Sequence, residues 1–170
     1  TPVTMTSPTD PATYAWEATD EEVAERYAIP VDQVLRFDLN TSPYPPELAS
    51  RILAAGRFDR PISEYPPSDY RRLVASASEV YGVPAHEIVV GAGADEVLDM
   101  CGKAFLPPGG TAVVPVPSYA MYRVITEQRG GRVAAVPRLG ADEGYAIDVP
   151  ATRTAARGAH LVWLCSPNNP

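Results

Sequence analysis

Lysine is almost missing from this sequence: of 14 basic residues only Lys103 is a lysine, and the rest are arginines. Against 21 acidic residues that leaves a net charge of −7. No basic stripe is available to replace the counterions of a nucleic acid. The same balance argues against adhesion to an anionic membrane surface. Histidine is scarce too. His86 lies in a Pro-Ala-His-Glu loop and His160 just before an apolar run, and neither has the paired Cys/His spacing of a metal site, so no metal ligand is expected. Two such histidines give no Ser/His/Asp arrangement. Cysteine occurs twice, at Cys101 and Cys165, inside apolar runs. That excludes a disulfide framework and reads as buried, reduced thiols, which fits a cytoplasmic protein. No apolar run approaches the roughly 18 residues of a membrane span. The first 30 residues hold acids, prolines and threonines, without the basic start and apolar centre of an export signal.

What is present is the composition of a folded protein, 45% apolar and 21% charged. Thr1–Pro11 is rich in threonine and proline and reads as a mobile arm. A short helix is expected from Asp20-Glu21-Glu22, with Asp20 as N-cap and Pro30 as its end. Leu35–Leu39 reads as a short strand or extended lead-in to the turn-rich Thr41–Pro46. Glu47–Ala55 is predicted helical, stopped by Gly56, and Tyr70–Tyr81 is an amphipathic helix stopped by Gly82.

From there strands and helices alternate. Strands are expected at Glu87–Val90, Thr111–Val116, Arg132–Val136 and Leu161–Cys165. The helices between them are Ala94–Phe105, Tyr119–Arg129 and Val149–Arg157. The strands are short Val/Leu/Ile-rich runs with little polar alternation, as in strands covered on both faces. This alternation predicts an α/β fold with a mainly parallel sheet flanked by helices. Five residues follow the last apolar run, in the place where such folds hold ligands. The expectation is therefore of a fold truncated after its fourth strand.

Three segments at expected strand ends carry chemistry. In Gly91-Ala92-Gly93-Ala94-Asp95-Glu96 a strand passes through glycines straight into a helix. The free N–H groups of that helix start suit a phosphate or other anion. Read alone, the segment is equally an ordinary helix start with acids in its first turn. It lacks the third glycine of a dinucleotide fingerprint and the Gly-Lys-Ser/Thr ending of a P-loop. In Pro117-Ser118-Tyr119-Ala120-Met121-Tyr122, Tyr119 either presents its ring to a flat ligand or sits in the core. In Ser166-Pro167-Asn168-Asn169-Pro170, the asparagines either bind a ligand or form an Asx-turn.

Together, in this order and spacing, the three segments resemble the class I/II aminotransferases among the fold type I pyridoxal-phosphate (PLP) enzymes. They are closest to the histidinol-phosphate aminotransferase branch, over about residues 35–170. The resemblance implies a three-layer αβα sandwich, the PLP-binding large domain, here incomplete. Residues 38–170 would be its first half, and residues 1–37 an arm and helix making small-domain or dimer contacts. Gly93, Ala94 and Asp95 correspond to the phosphate cup, Tyr119 to the tyrosine that stacks on the pyridine ring, and Asn169 to the asparagine that binds the cofactor's phenolic oxygen. Leu39-Asn40-Thr41-Ser42-Pro43 is similar to the branch's Leu-Asn-x-Asn-Pro segment near the substrate, which brings in Asn40 and Ser42. Glu64-Tyr65-Pro66 is similar to Arg-Tyr-Pro, whose tyrosine reaches the PLP phosphate of a partner subunit. Ser42 and Glu64 depart from that pattern.

The implied activity moves an amino group between an amino acid or amino-alcohol phosphate, histidinol-phosphate-like, and a 2-oxo acid, in a cytoplasmic homodimer. Its Schiff-base lysine, the carboxylate on the ring nitrogen and the substrate-binding arginine lie beyond residue 170 by the same resemblance. No residue here is therefore assigned as catalytic, and Lys103 reads as a surface residue. A threonine-phosphate decarboxylase of similar sequence and a non-catalytic binding domain are the competing readings. In the family's sheet the expected strands run third, second, fourth, while the first pairs with a seventh. If Tyr65 reaches a partner's phosphate, Tyr65→Phe in the full-length protein weakens PLP retention. Equilibrium dialysis showing unchanged affinity would leave Tyr65 as a packing residue.

Overall fold

The computed structural model describes residues 17–169 apart from residues 38, 40, 43, 57–59 and 62. The expected arm at Thr1–Pro11 lies outside the described residues. The chain forms two compact units, one ending at Ser76 and the other running from Ala77.

In the first unit, α1 (Asp20–Tyr27) is capped by Thr19 rather than by Asp20. The Thr19 hydroxyl accepts from Glu22 N at 3.2 Å, and the Glu22 carboxylate accepts from Thr19 N at 2.8 Å. This reciprocal capping box satisfies two helix-end donors at once, which Asp20 at the first helical position cannot do. Asp20 instead pairs with Arg36 at 2.7 Å. The helix stops at Ala28, in the left-handed region, before Pro30 is reached. The lead-in reading holds for residues 35–37, which form no strand; Leu35 and Phe37 are exposed. Helix α2 (Glu47–Ala55) matches its predicted limits, and Gly56 closes it in the left-handed conformation. Helix α3 (Arg71–Tyr81) starts one residue late, because Tyr70 takes a positive φ of 44° that no helix accommodates.

The second unit holds α4 (Gly93–Phe105), β1 (Thr111–Val116), α5 (Met121–Gln128), β2 (Arg132–Pro137), α6 (Val149–Ala155) and β3 (Leu161–Val162). The strands are parallel and ordered β2-β1-β3, so the α/β class and the third-second-fourth order are as expected. The expected strand at Glu87–Val90 is a correction. Ala85–Glu87 is a single 3₁₀ turn, and residues 88–90 pair with no strand among the described residues. Extended backbone becomes a strand only through a ladder, and the described strands leave this run without one. The last strand is shorter than Leu161–Cys165, although Trp163 N still donates to Val113 O at 2.9 Å.

Strand β1 is the centre. Ala112, Val113, Val114 and Pro115 are all buried, and successive side chains point to opposite faces, so both faces are covered. Helices α5 and α6 each pack on β1 and β2, and α4 packs on α5. Leu106, Ala112, Val114, Tyr122, Ile125 and Trp163 form the core cluster. In it the Tyr122 and Trp163 rings stack with centroids 5.2 Å apart. Trp163 Nε1 donates to Thr126 Oγ1 at 3.1 Å, and that hydroxyl donates to Tyr122 O at 2.6 Å. Thr126→Val keeps the shape and leaves a buried indole N–H without an acceptor. A loss of about 1–3 kcal/mol in urea unfolding of the full-length protein is expected.

Candidate functional site

The in-register parallel pairing lines up the carboxyl ends of the three strands. Val116 lies opposite Pro137, and counting on from Val113 opposite Val162 brings Cys165 level with Val116. The loops that follow, 117–120, 138–145 and 166–169, therefore leave from one edge of the sheet. Sheets of this kind put ligands at that edge.

The expected phosphate-cup segment lies at the start of helix α4. Gly93 sits at φ 78°, where an L side chain is strained, and so lets the chain turn directly into the helix. Its N–H donates to Gly91 O at 3.0 Å. By helix geometry the N–H groups of Ala94 and Asp95 have no intrahelical acceptor and meet the positive end of the dipole. Both first-turn carboxylates are engaged. Glu96 folds back to accept from Ala92 N, and Asp95 Oδ1 accepts from Tyr119 Oη at 2.9 Å. The cup and the tyrosine, read separately in the sequence, are thus in direct contact.

The Tyr119 ring is half-buried and held on two sides. Its hydroxyl is tied to Asp95, and its ring meets Tyr122 in a T-shaped contact, centroids 5.9 Å apart. Asn169, the residue after Asn168, is half-buried. Asn168, which the sequence reading left open between a ligand contact and an Asx-turn, is the tied residue. Its Oδ1 accepts from Ser118 Oγ at 3.0 Å and from Arg138 Nη2 at 2.9 Å, and its Nδ2 donates to Pro117 O at 3.1 Å. Arg138 was also missed. Its Nε donates to Pro117 O at 3.1 Å and its Nη1 to Tyr145 O at 3.3 Å. The only available hint was an arginine two residues past a predicted parallel strand, in the segment where ligand loops begin.

The remaining candidates are in the first unit. Tyr65 is 94% exposed and lines a cavity of ≈380 Å³ together with Arg60, Glu64, Tyr70 and Arg72. Glu64, the departure from the family's arginine, is 3.7 Å from Arg60. Ser42 Oγ bonds both to Tyr44 O and from Tyr44 N, each at 3.2 Å, so it shapes its own turn. Asn40 lies outside the described residues. Lys103 is exposed and paired with Asp99 along α4, as a surface lysine should be. Cys101 and Cys165 are free, half-buried thiols packed against the core. Among the described residues no group of His, Cys, Asp and Glu is placed to hold a metal, and no helix is long and apolar enough to cross a membrane.

The sequence profile of the family described as Aminotransferase class I and II matches residues 35–170. A histidinol-phosphate aminotransferase of Roseiflexus castenholzii is 39% identical over 155 residues, covering 88% of this chain and 41% of that protein. One from Symbiobacterium thermophilum is 43% identical over 101 residues, 59% of this chain and 27% of its own length. Among solved structures, the histidinol-phosphate aminotransferase of Sinorhizobium meliloti in complex with pyridoxal-5′-phosphate aligns with a TM-score of 0.73 at 22% identity. That alignment covers 92% of this chain and 41% of that one. An aspartate aminotransferase of Rhizobium meliloti aligns with a TM-score of 0.62, also at 22% identity, over 87% and 38%. These two likenesses are of fold. The chain thus spans about 41% of the length of the first of these curated relatives.

Tyr122 supports the site from beneath, and its phenol is pushed up to about 12, by burial first and then by its hydrogen bond with the Cys165 thiol. Folding favours the neutral phenol. The stabilisation is therefore complete below the ordinary value of 10.0 and is lost as pH rises toward about 12. Tyr122→Phe should remove this part of the alkaline loss. Urea unfolding of both proteins at about pH 9 and about pH 11 checks it, and an equal alkaline loss in the variant contradicts it.

Proposed function

This chain belongs to the class I and II aminotransferases, and we propose that it is the cofactor-holding part of an enzyme that uses pyridoxal 5′-phosphate. That enzyme moves an amino group between an amino acid or amino-alcohol phosphate, of the histidinol-phosphate kind, and a 2-oxo acid. The observation that carries the reading is the convergence, at one sheet edge, of a free helix start, a tethered aromatic ring and a pinned asparagine loop. The names of the relatives at 39% and 43% identity support the substrate class. We also infer a cytoplasmic homodimer. The nearly full exposure of Tyr65 supports its reaching a site on a second copy.

The residues present fit the group. An anionic phosphate suits the Ala94 and Asp95 amides, where a helix dipole adds about 0.3–1 kcal/mol or more for a negative charge. The two nearby carboxylates, which would repel a phosphate, are each occupied by a donor of the protein. Bound there, PLP supplies an electron sink for the charge left when the substrate loses its α-proton.

The roles proposed for this chain's residues rest on the family resemblance, and for Asp95 and Tyr119 also on their contact. Ala94 and Asp95 hold the phosphate through their N–H groups. Tyr119 covers one face of the flat ring, and Asp95, by accepting the phenol's proton in a hydrogen bond, keeps that face turned to it. Asn169 donates its amide to the ring's phenolic oxygen. By the family resemblance alone, Ser42 and Asn40 serve the substrate, and Tyr65 serves the phosphate of the partner's site. Lys103, engaged with Asp99, takes no part, so the lysine that moves protons comes from outside these 170 residues.

The test uses the full-length polypeptide that carries this sequence. With PLP it should show the visible absorbance of the bound cofactor, and that band should shift on adding histidinol phosphate or a related amine. Tyr119→Ala should weaken PLP binding about tenfold or more, the scale of one lost aromatic stacking contact. A wild-type protein without a visible band contradicts the reading. A band that shifts with simple amino acids alone contradicts the phosphate-substrate class.

A further inference from the structure

Arg138 joins three loops that the sheet brings level but does not itself connect. It extends from the residue after β2, where Arg138 N continues the ladder to Val116 O at 2.8 Å. Its guanidinium uses a separate nitrogen for each acceptor: Pro117 O in the loop after β1, Tyr145 O in its own loop, and Asn168 Oδ1 in the loop after β3. Ser118 Oγ donates to the same Asn168 oxygen, and Asn168 Nδ2 returns to Pro117 O, closing the network. A planar fork of donors with a delocalised charge can serve three acceptors at once. A lysine ammonium on a flexible stem cannot hold that geometry. Charge-assisted bonds are also the stronger ones.

The residues clamped are those beside the two proposed ring contacts. Pro117 and Ser118 immediately precede Tyr119, and Asn168 immediately precedes Asn169. We propose that Arg138 is a positioning residue that sets the Asn169 carboxamide at a fixed place relative to the Tyr119 ring, so that both engage one flat cofactor. This rests on the functional reading above, which names the cofactor. What Arg138 adds is the physical reason why two loops from different strands keep a common geometry. Three hydrogen bonds to the Asn168 carboxamide restrain the backbone that carries it, and a backbone shift there would take the Asn169 amide out of hydrogen-bond range.

The test measures PLP affinity by equilibrium dialysis in the full-length protein, alongside circular dichroism of the bound cofactor and the thermal midpoint of the PLP-free form. The variants are Arg138→Met, Asn169→Ala, the double variant, and Arg132→Met at the opposite end of β2 as control. Arg138→Met should weaken binding about tenfold, as loss of a charge-assisted hydrogen bond does, and should change the dichroic band. Arg132→Met should do neither. Asn169→Ala should cost about tenfold in the wild-type background but less than about twofold when Arg138 is already Met, because the two act through one contact.

Full additivity of the two substitutions, or an unchanged affinity with only a lowered thermal midpoint, overturns the proposal and leaves Arg138 as a loop staple. If Arg138→Met does not fold, Arg138→Lys is read against the same criteria, since it keeps the charge and stem but loses the fork. A wild-type protein that binds no PLP overturns the functional reading first, and the clamp's purpose with it. Binding that survives intact in the Met and Lys variants overturns the clamp alone.

Discussion

Everything at the candidate site depends on the parallel register of β1. Because β1 pairs in step with β2 on one side and β3 on the other, three chain segments end at the same height and release their loops on the same edge. No side-chain interaction could bring residues 119, 138 and 168 together without that alignment. The strand holds its place because Ala112–Pro115 are buried on both faces, so a slip of one residue would exchange every side chain between the two covered sides.

On this base a second order of structure is built from aromatic rings and hydrogen bonds. Trp163 stacks on Tyr122 and is fixed by Thr126; Tyr122 meets Tyr119 edge-on; Tyr119 reaches Asp95 at the start of α4. The line runs from the core to the helix N-terminus without a break. It explains how a half-buried tyrosine on a loop keeps a defined orientation, which a ligand-facing ring requires. The Asn168–Ser118–Arg138 network does the same for the opposite loop, in polar terms.

Legibility in the sequence followed the range of the interactions. Helix α2 and its glycine stop came out within their predicted limits, because a helix and its cap are set by neighbours within a few residues. The central strand was equally plain, since an apolar run covered on both faces has one reading. The N-cap of α1 was misplaced by one residue, from Thr19 to Asp20, because both are good caps and only the Glu22 contact distinguishes them. The run at Glu87–Val90 has the composition of a strand but, among the described residues, no partner to make it one. Glycine, tyrosine and asparagine motifs pointed to the site through their resemblance to a family. Arg138 carried no such signal, and Asn168 stood in the motif without its partners being legible, as their ties lie in contacts spanning 21 to 51 residues of chain.

The sequence by itself determined the α/β class, the family and the segments proposed to face the cofactor, since these depend on local periodicity, turn chemistry and short motifs. Only the tertiary structure decided which residues touch. It joined Asp95 to Tyr119, gave the pinned place in the last loop to Asn168, and made Arg138 the link between three loops. The physical reason is that hydrogen bonds and ring contacts are set by distance in space. In a parallel sheet, residues adjacent in space at one edge are separated along the chain by a whole crossover helix.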